Sequence, residues 1–242
     1  LFGVALGLNA LTGWSIPMII IMAGVAVTLY TLLGGIEAVI WTDVIQSIVL
    51  LVGAVAIAVL LVVNHPGGAN EAINLANNAD KFSLGSFAVD FTQSTFWVML
   101  LYGIFINLNN FGIDQSFVQR YHAARDEREA KRSVWLGALL YVPVAALFFF
   151  IGSMLFSYYE ASPALLQEVQ VAHPDGHADK VLPHFIATQL PTGVAGLLIA
   201  AIFAAAMSSI DTSLNSSATV TLKDFFQRHL KRGQDEADAM RI

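Results

Sequence analysis

Residues 44–63 read Val-Ile-Gln-Ser-Ile-Val-Leu-Leu-Val-Gly-Ala-Val-Ala-Ile-Ala-Val-Leu-Leu-Val-Val, a run of 20 positions without one charged side chain. A helix of that length covers about 30 Å, the thickness of a bilayer's hydrocarbon core. The pattern continues outward in both directions. Residues 1–36 hold no charged side chain and no histidine, and residues 91–113, 134–159 and 192–210 are further uncharged stretches. Together they predict six helical segments near 1–13, 16–33, 38–63, 94–119, 134–159 and 192–218. A transmembrane β-barrel would need segments of about 10 residues alternating apolar and polar, and these are absent. The fold class is an all-α multi-pass membrane protein.

Composition agrees. Of 242 residues, 56% are hydrophobic and 12% are charged, about half the charge a soluble domain carries. Disorder is excluded by the same figures, since disordered chains are apolar-poor. The absence of cysteine removes disulfides, thiolate metal sites and a cysteine nucleophile. A net charge of −6 gives no reason to expect nucleic acid as a partner. The first residue is not methionine, and the first segment, too short to span alone, lacks the basic flank of a signal peptide. We therefore expect a piece of a longer protein.

Basic residues orient the segments. Arg120, Arg125, Arg128, Lys131 and Arg132 cluster in one connection, and Lys223, Arg228, Lys231, Arg232 and Arg241 lie at 222–242, read as a tail. Two crossings separate the clusters, so both can be cytoplasmic, with the longer loops at 64–93 and 160–191 outside. His173, His177 and His184 are read as belonging to a solvated loop rather than a metal site, because no predicted helix orders them.

Polar groups within the spans carry the functional signal. Asp43, Asp114 and Asp211 lie in or at the edge of predicted spans, where ionisable groups are costly and mark pathways or sites unless they reach the interface. Residues 204–216 read Ala-Ala-Ala-Met-Ser-Ser-Ile-Asp-Thr-Ser-Leu-Asn-Ser, with Ala205, Ser208, Ser209 and Thr212 at i, i+3, i+4 and i+7. Small residues on one face let membrane helices approach closely. Hydroxyl and carbonyl oxygens at one level also suit a small hard cation. In the fourth segment, Gly103 to Gln115 brings three asparagines, two glycines and an aspartate to mid-to-late membrane depth. That pattern fits a kinked helix or a broken one of the kind transporters use to bind substrate. Pro143 and Gly34-Gly35 mark further bends.

Three blocks in order carry a family likeness: Leu29-Tyr-Thr-Leu-Leu-Gly-Gly-Ile-Glu-Ala-Val-Ile-Trp-Thr-Asp-Val-Ile-Gln46, Asp114-Gln-Ser-Phe-Val-Gln-Arg-Tyr121, and residues 204–216 followed by Lys223-Asp224. The chain resembles the sodium/solute symporter family over nearly its whole length, most closely the bacterial sialic acid and sugar symporters. The resemblance implies a LeuT-like inverted-repeat transporter core, with this chain running from the end of core helix 3 to core helix 8. It implies a main sodium site using Ala205, Ser208 and Ser209. It also implies a possible second sodium at Asp43 and Thr212 with the same serines, although the sequence carries Asp211 where two-sodium members have serine. On the substrate side it matches Asn107 to a sugar-contacting position, and Asn110 and Phe111 to a gating aromatic pair that this chain does not retain.

The function expected is sodium-coupled import of a small polar organic solute (sialic acid, sugar, monocarboxylate or similar) by alternating access. Its partners are the solute, sodium ions and the lipid bilayer, and it is placed in the cell membrane. We take all 242 residues as part of a single transmembrane transporter domain. One alternative is a proton-coupled symporter of the same fold, with Asp43 or Asp114 titrating. The other is an intramembrane aspartyl protease using the same pair, against which stands the absence of that family's Tyr-Asp and Gly-X-Gly-Asp motifs.

Overall fold

Pro17 sits in the first turn of the longest helix, where its missing N–H costs nothing. The computed structural model describes residues 2–172 and 177–230. Helix α1 (Phe2–Thr12) ends on Gly13, whose left-handed φ of 73° lets its N–H cap the Asn9 carbonyl at 2.9 Å. Helix α2 (Ile16–Val63) holds 48 residues, about 72 Å of helix and more than twice a bilayer core. It is broken at Gly35, where φ is 56° and ψ is −150°. Only glycine takes that backbone without strain. The two expected segments thus follow one another end to end, with the bend where Gly34-Gly35 predicts it.

The fourth expected segment is also divided. Helix α4 (Phe96–Gly112) and helix α5 (Gln115–His122) meet at a 47° bend. Asp114 caps α5 by accepting the Ser116 amide at 2.8 Å, so this carboxylate starts a helix. Helix α6 (Glu127–Glu160) begins seven residues before the apolar run that predicts it. Asp126 caps it through the Glu129 amide, and a Lys131–Glu127 ion pair at 2.7 Å supports the exposed first turns. Most of the basic connection is therefore helix.

The loops expected at 64–93 and 160–191 contain helices of their own: α3 (Gly68–Asn78), α7 (Pro163–Ala172), a 3-10 turn (His177–Lys180) and α8 (Val181–Gln189). Sequence hydropathy misses them because they are short and partly polar. Tertiary contacts hold them instead. Ala72 and Ala76 of α3 are fully buried. Buried His65 accepts the Gly67 amide at Nδ1, which leaves its Nε2–H to meet Ser157 at 3.2 Å. The Tyr158 hydroxyl donates to Gln189 at 3.0 Å, and Lys180 donates to the Leu6 carbonyl at 3.1 Å. The solvated-loop expectation is corrected for His184. It lies on α8, largely covered, with Nδ1 2.8 Å from the Tyr159 hydroxyl. His173 lies outside the described residues, and no three-residue metal cluster occurs among those described.

Helix α9 (Thr192–Val220) packs along α2 more extensively than any other helix pair. Leu198 and Ala201 meet Gly53, where an added Cβ would fall 2.8 Å from Leu198 Cδ2. Glycine here permits the close approach that membrane helices use in place of hydrophobic exclusion. A π-helical stretch (Thr221–Leu230) continues α9 into the part expected as a tail. Among the described residues, three helices, α2, α6 and Thr192–Phe226, are long and apolar enough to cross a membrane, and the α4–α5 pair makes a fourth if counted as one broken span.

Candidate functional site

Where α2, α5 and α9 converge, polar side chains from distant stretches of sequence meet. Asp43, eight residues past the Gly35 kink, accepts the Ser208 hydroxyl at 2.5 Å on Oδ1 and pairs with the Arg120 guanidinium on Oδ2. Arg120 also donates to Thr212 Oγ1 at 3.0 Å. Thr212 donates onward to Asp211 Oδ1 at 3.2 Å, and Asp211 Oδ2 accepts the Tyr30 hydroxyl at 2.5 Å. Asp211 is fully buried. Gln119 bonds the Asn215 carbonyl at 3.4 Å and Ser216 bonds Ser116 at 3.2 Å, so α5 is fastened to α9 along its length. The short helix can take this position because the chain breaks at Ile113–Asp114.

Ser208 and Thr212, one turn apart, face Asp43 and Arg120. Ser209 is turned to the neighbouring face of α9, and its hydroxyl donates to the Ala205 carbonyl at 3.3 Å. It lines an open groove of ≈ 370 Å³ with Ser213 and Ser217. The expected main-site donors are thus a carbonyl and two hydroxyls on adjoining faces of one helix. These are neutral oxygens, chemistry that fits a hard monovalent cation. The expected second-site residues Asp43 and Thr212 also come together, but both are already bound to Arg120. Asn107, Asn110 and Phe111 lie apart, on a helix with no buried residue. Asn107 is exposed and bonds its own helix at Gly103, and the Phe111 ring packs on Phe117 at 5.1 Å.

A profile of the sodium:solute symporter family matches residues 1–242. The chain belongs to the sodium:solute symporter family. It is 41% identical over 220 residues to the sodium/sialic acid symporter NanT of Aliivibrio fischeri, covering 90% of this chain and 42% of that protein. Against the sodium/sialic acid symporter SiaT of Proteus mirabilis it is 38% identical over 239 residues, covering 98% of this chain and 47% of the other. A solved structure of a Na+-coupled sialic acid symporter, described as substrate-bound, outward-open and revealing a novel Na+ site, superposes with a TM-score of 0.91 at 36% identity, covering 99% of this chain and 50% of that one. The expected fold class, an all-α membrane protein with a LeuT-like core, is borne out by this superposition. The chain spans about half the length of the curated relatives it matches.

Sequence reading identifies Asp43, Ser208 and Thr212 but misses Arg120 and Tyr30. Arg120 is counted among the basic residues that orient the chain, and Tyr30 lies in an apolar run. Both stand inside the blocks that carry the family likeness, which is the signal that could have singled them out.

Proposed function

We propose that this chain is part of one transporter domain that imports a small polar organic solute together with sodium. The observation that carries the reading is the junction of α2, α5 and α9, where a hydroxyl-rich stripe meets Asp43 inside a chain of this family. Ala205, Ser208 and Ser209 would hold the sodium, with further ligands from elements outside this chain. Sodium supplies the driving force, since one charge moving inward is worth about 2.3 kcal/mol per 100 mV. Sialic acid is the first solute to test, given the relatives' names, with sugars and monocarboxylates next.

The chain's own residues supply positioning. α5 ties α2 to α9 at one end, and the bends at Gly35 and at Ile113–Asp114 are where the backbone can absorb a change of angle during alternating access. The basic residues at 120–132 and 223–241 would face the cytoplasm of the cell membrane. The reading as a transporter rather than a protease is supported by the uses the fold makes of Asp43 and Asp114. One pairs with Arg120 and Ser208, and the other caps α5.

The test is uptake into proteoliposomes by the full-length protein, screening sialic acids, sugars, monocarboxylates and amino acids with and without sodium. A Ser208→Ala, Ser209→Ala double variant should lose sodium-stimulated uptake. Uptake that keeps its sodium dependence in that variant would overturn the site assignment.

A further inference from the structure

Between α6 and α9, among the described residues, one buried polar atom has no hydrogen-bond partner: Nε2 of His184 on α8. A buried group left unpaired in this way needs a physical reason. The His184 side chain is 16% exposed. Its Nδ1 stands 2.8 Å from the Tyr159 hydroxyl of α6, and that hydroxyl also reaches the Val181 carbonyl at 3.2 Å. Its Nε2 stands 3.8 Å from Glu168 Oε1 of α7, an exposed carboxyl group. Other ionisable residues lie on the surrounding elements: Tyr158 and Glu160 on α6, and His177, Asp179 and Lys180 on the 3-10 turn. The Tyr158 hydroxyl is spent on Gln189, and Lys180 on the Leu6 carbonyl. Helices α1 and α9 also pack on α8, but α1 carries no ionisable residue and α9 none before Asp211. Among the described residues, the His184 ring nitrogens bond or pair with Tyr159 and Glu168 alone.

Neither neutral form of the imidazole suits these neighbours. With the proton on Nδ1, the ring donates to Tyr159 and Tyr159 donates to Val181, but the bare Nε2 then faces a carboxylate oxygen, acceptor against acceptor. With the proton on Nε2, Glu168 is met, but Nδ1 and the Val181 carbonyl compete for the one hydroxyl proton of Tyr159. The imidazolium satisfies all three. Its Nδ1–H donates to Tyr159, the Tyr159 hydroxyl is left to donate to Val181, and Nε2–H points its charge at Glu168. We infer that His184 is a proton-operated staple of the loop at 160–191: a proton taken up on its ring draws Glu168 into an ion pair and fastens α7 to α8 and α6, and loss of that proton loosens α7. Histidine is the side chain whose ordinary charge change falls between pH 5 and 8. On the orientation proposed above, the staple answers to the medium outside the cell. It needs neither sodium nor solute, so it stands or falls apart from the transport reading.

The test is hydrogen exchange, read by mass spectrometry on the full-length protein in nanodiscs without sodium or solute, at pH 5.5 and 7.5 with intrinsic exchange rates divided out. The pair is partly solvated, so peptides covering 163–172 should open about two- to five-fold less at pH 5.5. The protection belongs to the protonated ring, so it is present at low pH and fades as pH rises. Glu168→Ala should abolish the difference between the two pH values. Glu168→Lys should reverse it, because a fixed positive charge repels the imidazolium. A His173→Gln, His177→Gln double variant should keep it, which separates His184 from the neighbouring histidines. Equal opening at both pH values in the unaltered protein would overturn the inference. So would a difference that survives unchanged in Glu168→Ala and Glu168→Lys, or one that vanishes in the double variant. Glu168 is 63% exposed, so its replacements do not put folding at risk.

Discussion

Replacing Arg120 with Gln leaves the Asp43 carboxylate without its ion-pair partner. Removing one member of a buried pair ordinarily costs about 3–5 kcal/mol. Here the Asp43 side chain is 17% exposed and that of Arg120 33%. Water can reach part of the site, so the cost falls to about 1–3 kcal/mol. The reverse change, Asp43→Asn, is milder. Asn keeps an oxygen for the Ser208 hydroxyl, and the more exposed guanidinium can turn towards solvent, for a cost of about 1 kcal/mol or less. The double variant has no unpaired charge and should regain at least about 1 kcal/mol relative to the sum of the single changes. Reversible unfolding of the four proteins in mixed micelles reads out this double-mutant cycle. If the single costs simply add, the ion pair is not what holds α5 against α2.

Gly53→Leu should destabilise the α2–α9 contact by about 1–3 kcal/mol through overpacking, and Leu198→Ala should relieve part of that loss in the same unfolding assay, because an added Cβ falls 2.8 Å from Leu198 Cδ2. His65→Phe should cost about 1–3 kcal/mol by leaving the buried Ser157 hydroxyl without its present partner, seen as a lower melting temperature with the sodium response kept. Asp114→Ala should cost about 1 kcal/mol through loss of the α5 cap, whereas Asp114→Asn, which can still cap, should cost less. Thr92 holds the exposed Asp90 carboxyl below its ordinary pKa by donating from both hydroxyl and amide. Thr92→Val removes the hydroxyl, so the Asp90 carboxyl resonance should titrate at higher pH by NMR.

The spans were legible because hydrocarbon excludes charge, and the uncharged runs at 44–63, 134–159 and 192–210 leave no other reading. The kink at Gly35 and the break before Gln115 were legible too, because Gly-Gly and the Asn-Asn-Phe-Gly-Ile-Asp stretch are poor helix interior. Helices α3, α7 and α8 were not, since what stabilises them is contact with residues far along the chain, such as His65 with Ser157 and Tyr159 with His184. The same holds within the junction. Asp43, Ser208 and Thr212 announce themselves as polar groups in an apolar setting. Arg120 does not, because an arginine at the end of a span reads as an interfacial charge until the fold turns α5 inward. Nor was the division of the α9 serines visible from spacing. Ser208 and Ser209 are neighbours in sequence, yet Asp43 takes one, and the other bonds back to its own helix.

Sodium coupling is tested most directly by uptake of radiolabelled sialic acid into proteoliposomes of the full-length protein under an inward sodium gradient, beside an inward proton gradient without sodium. The expected result is accumulation driven by the sodium gradient, little with the proton gradient, and loss of the sodium-driven part in the Ser208→Ala, Ser209→Ala variant. Equal accumulation under the proton gradient alone, with the double variant as active as the unaltered protein, would contradict it.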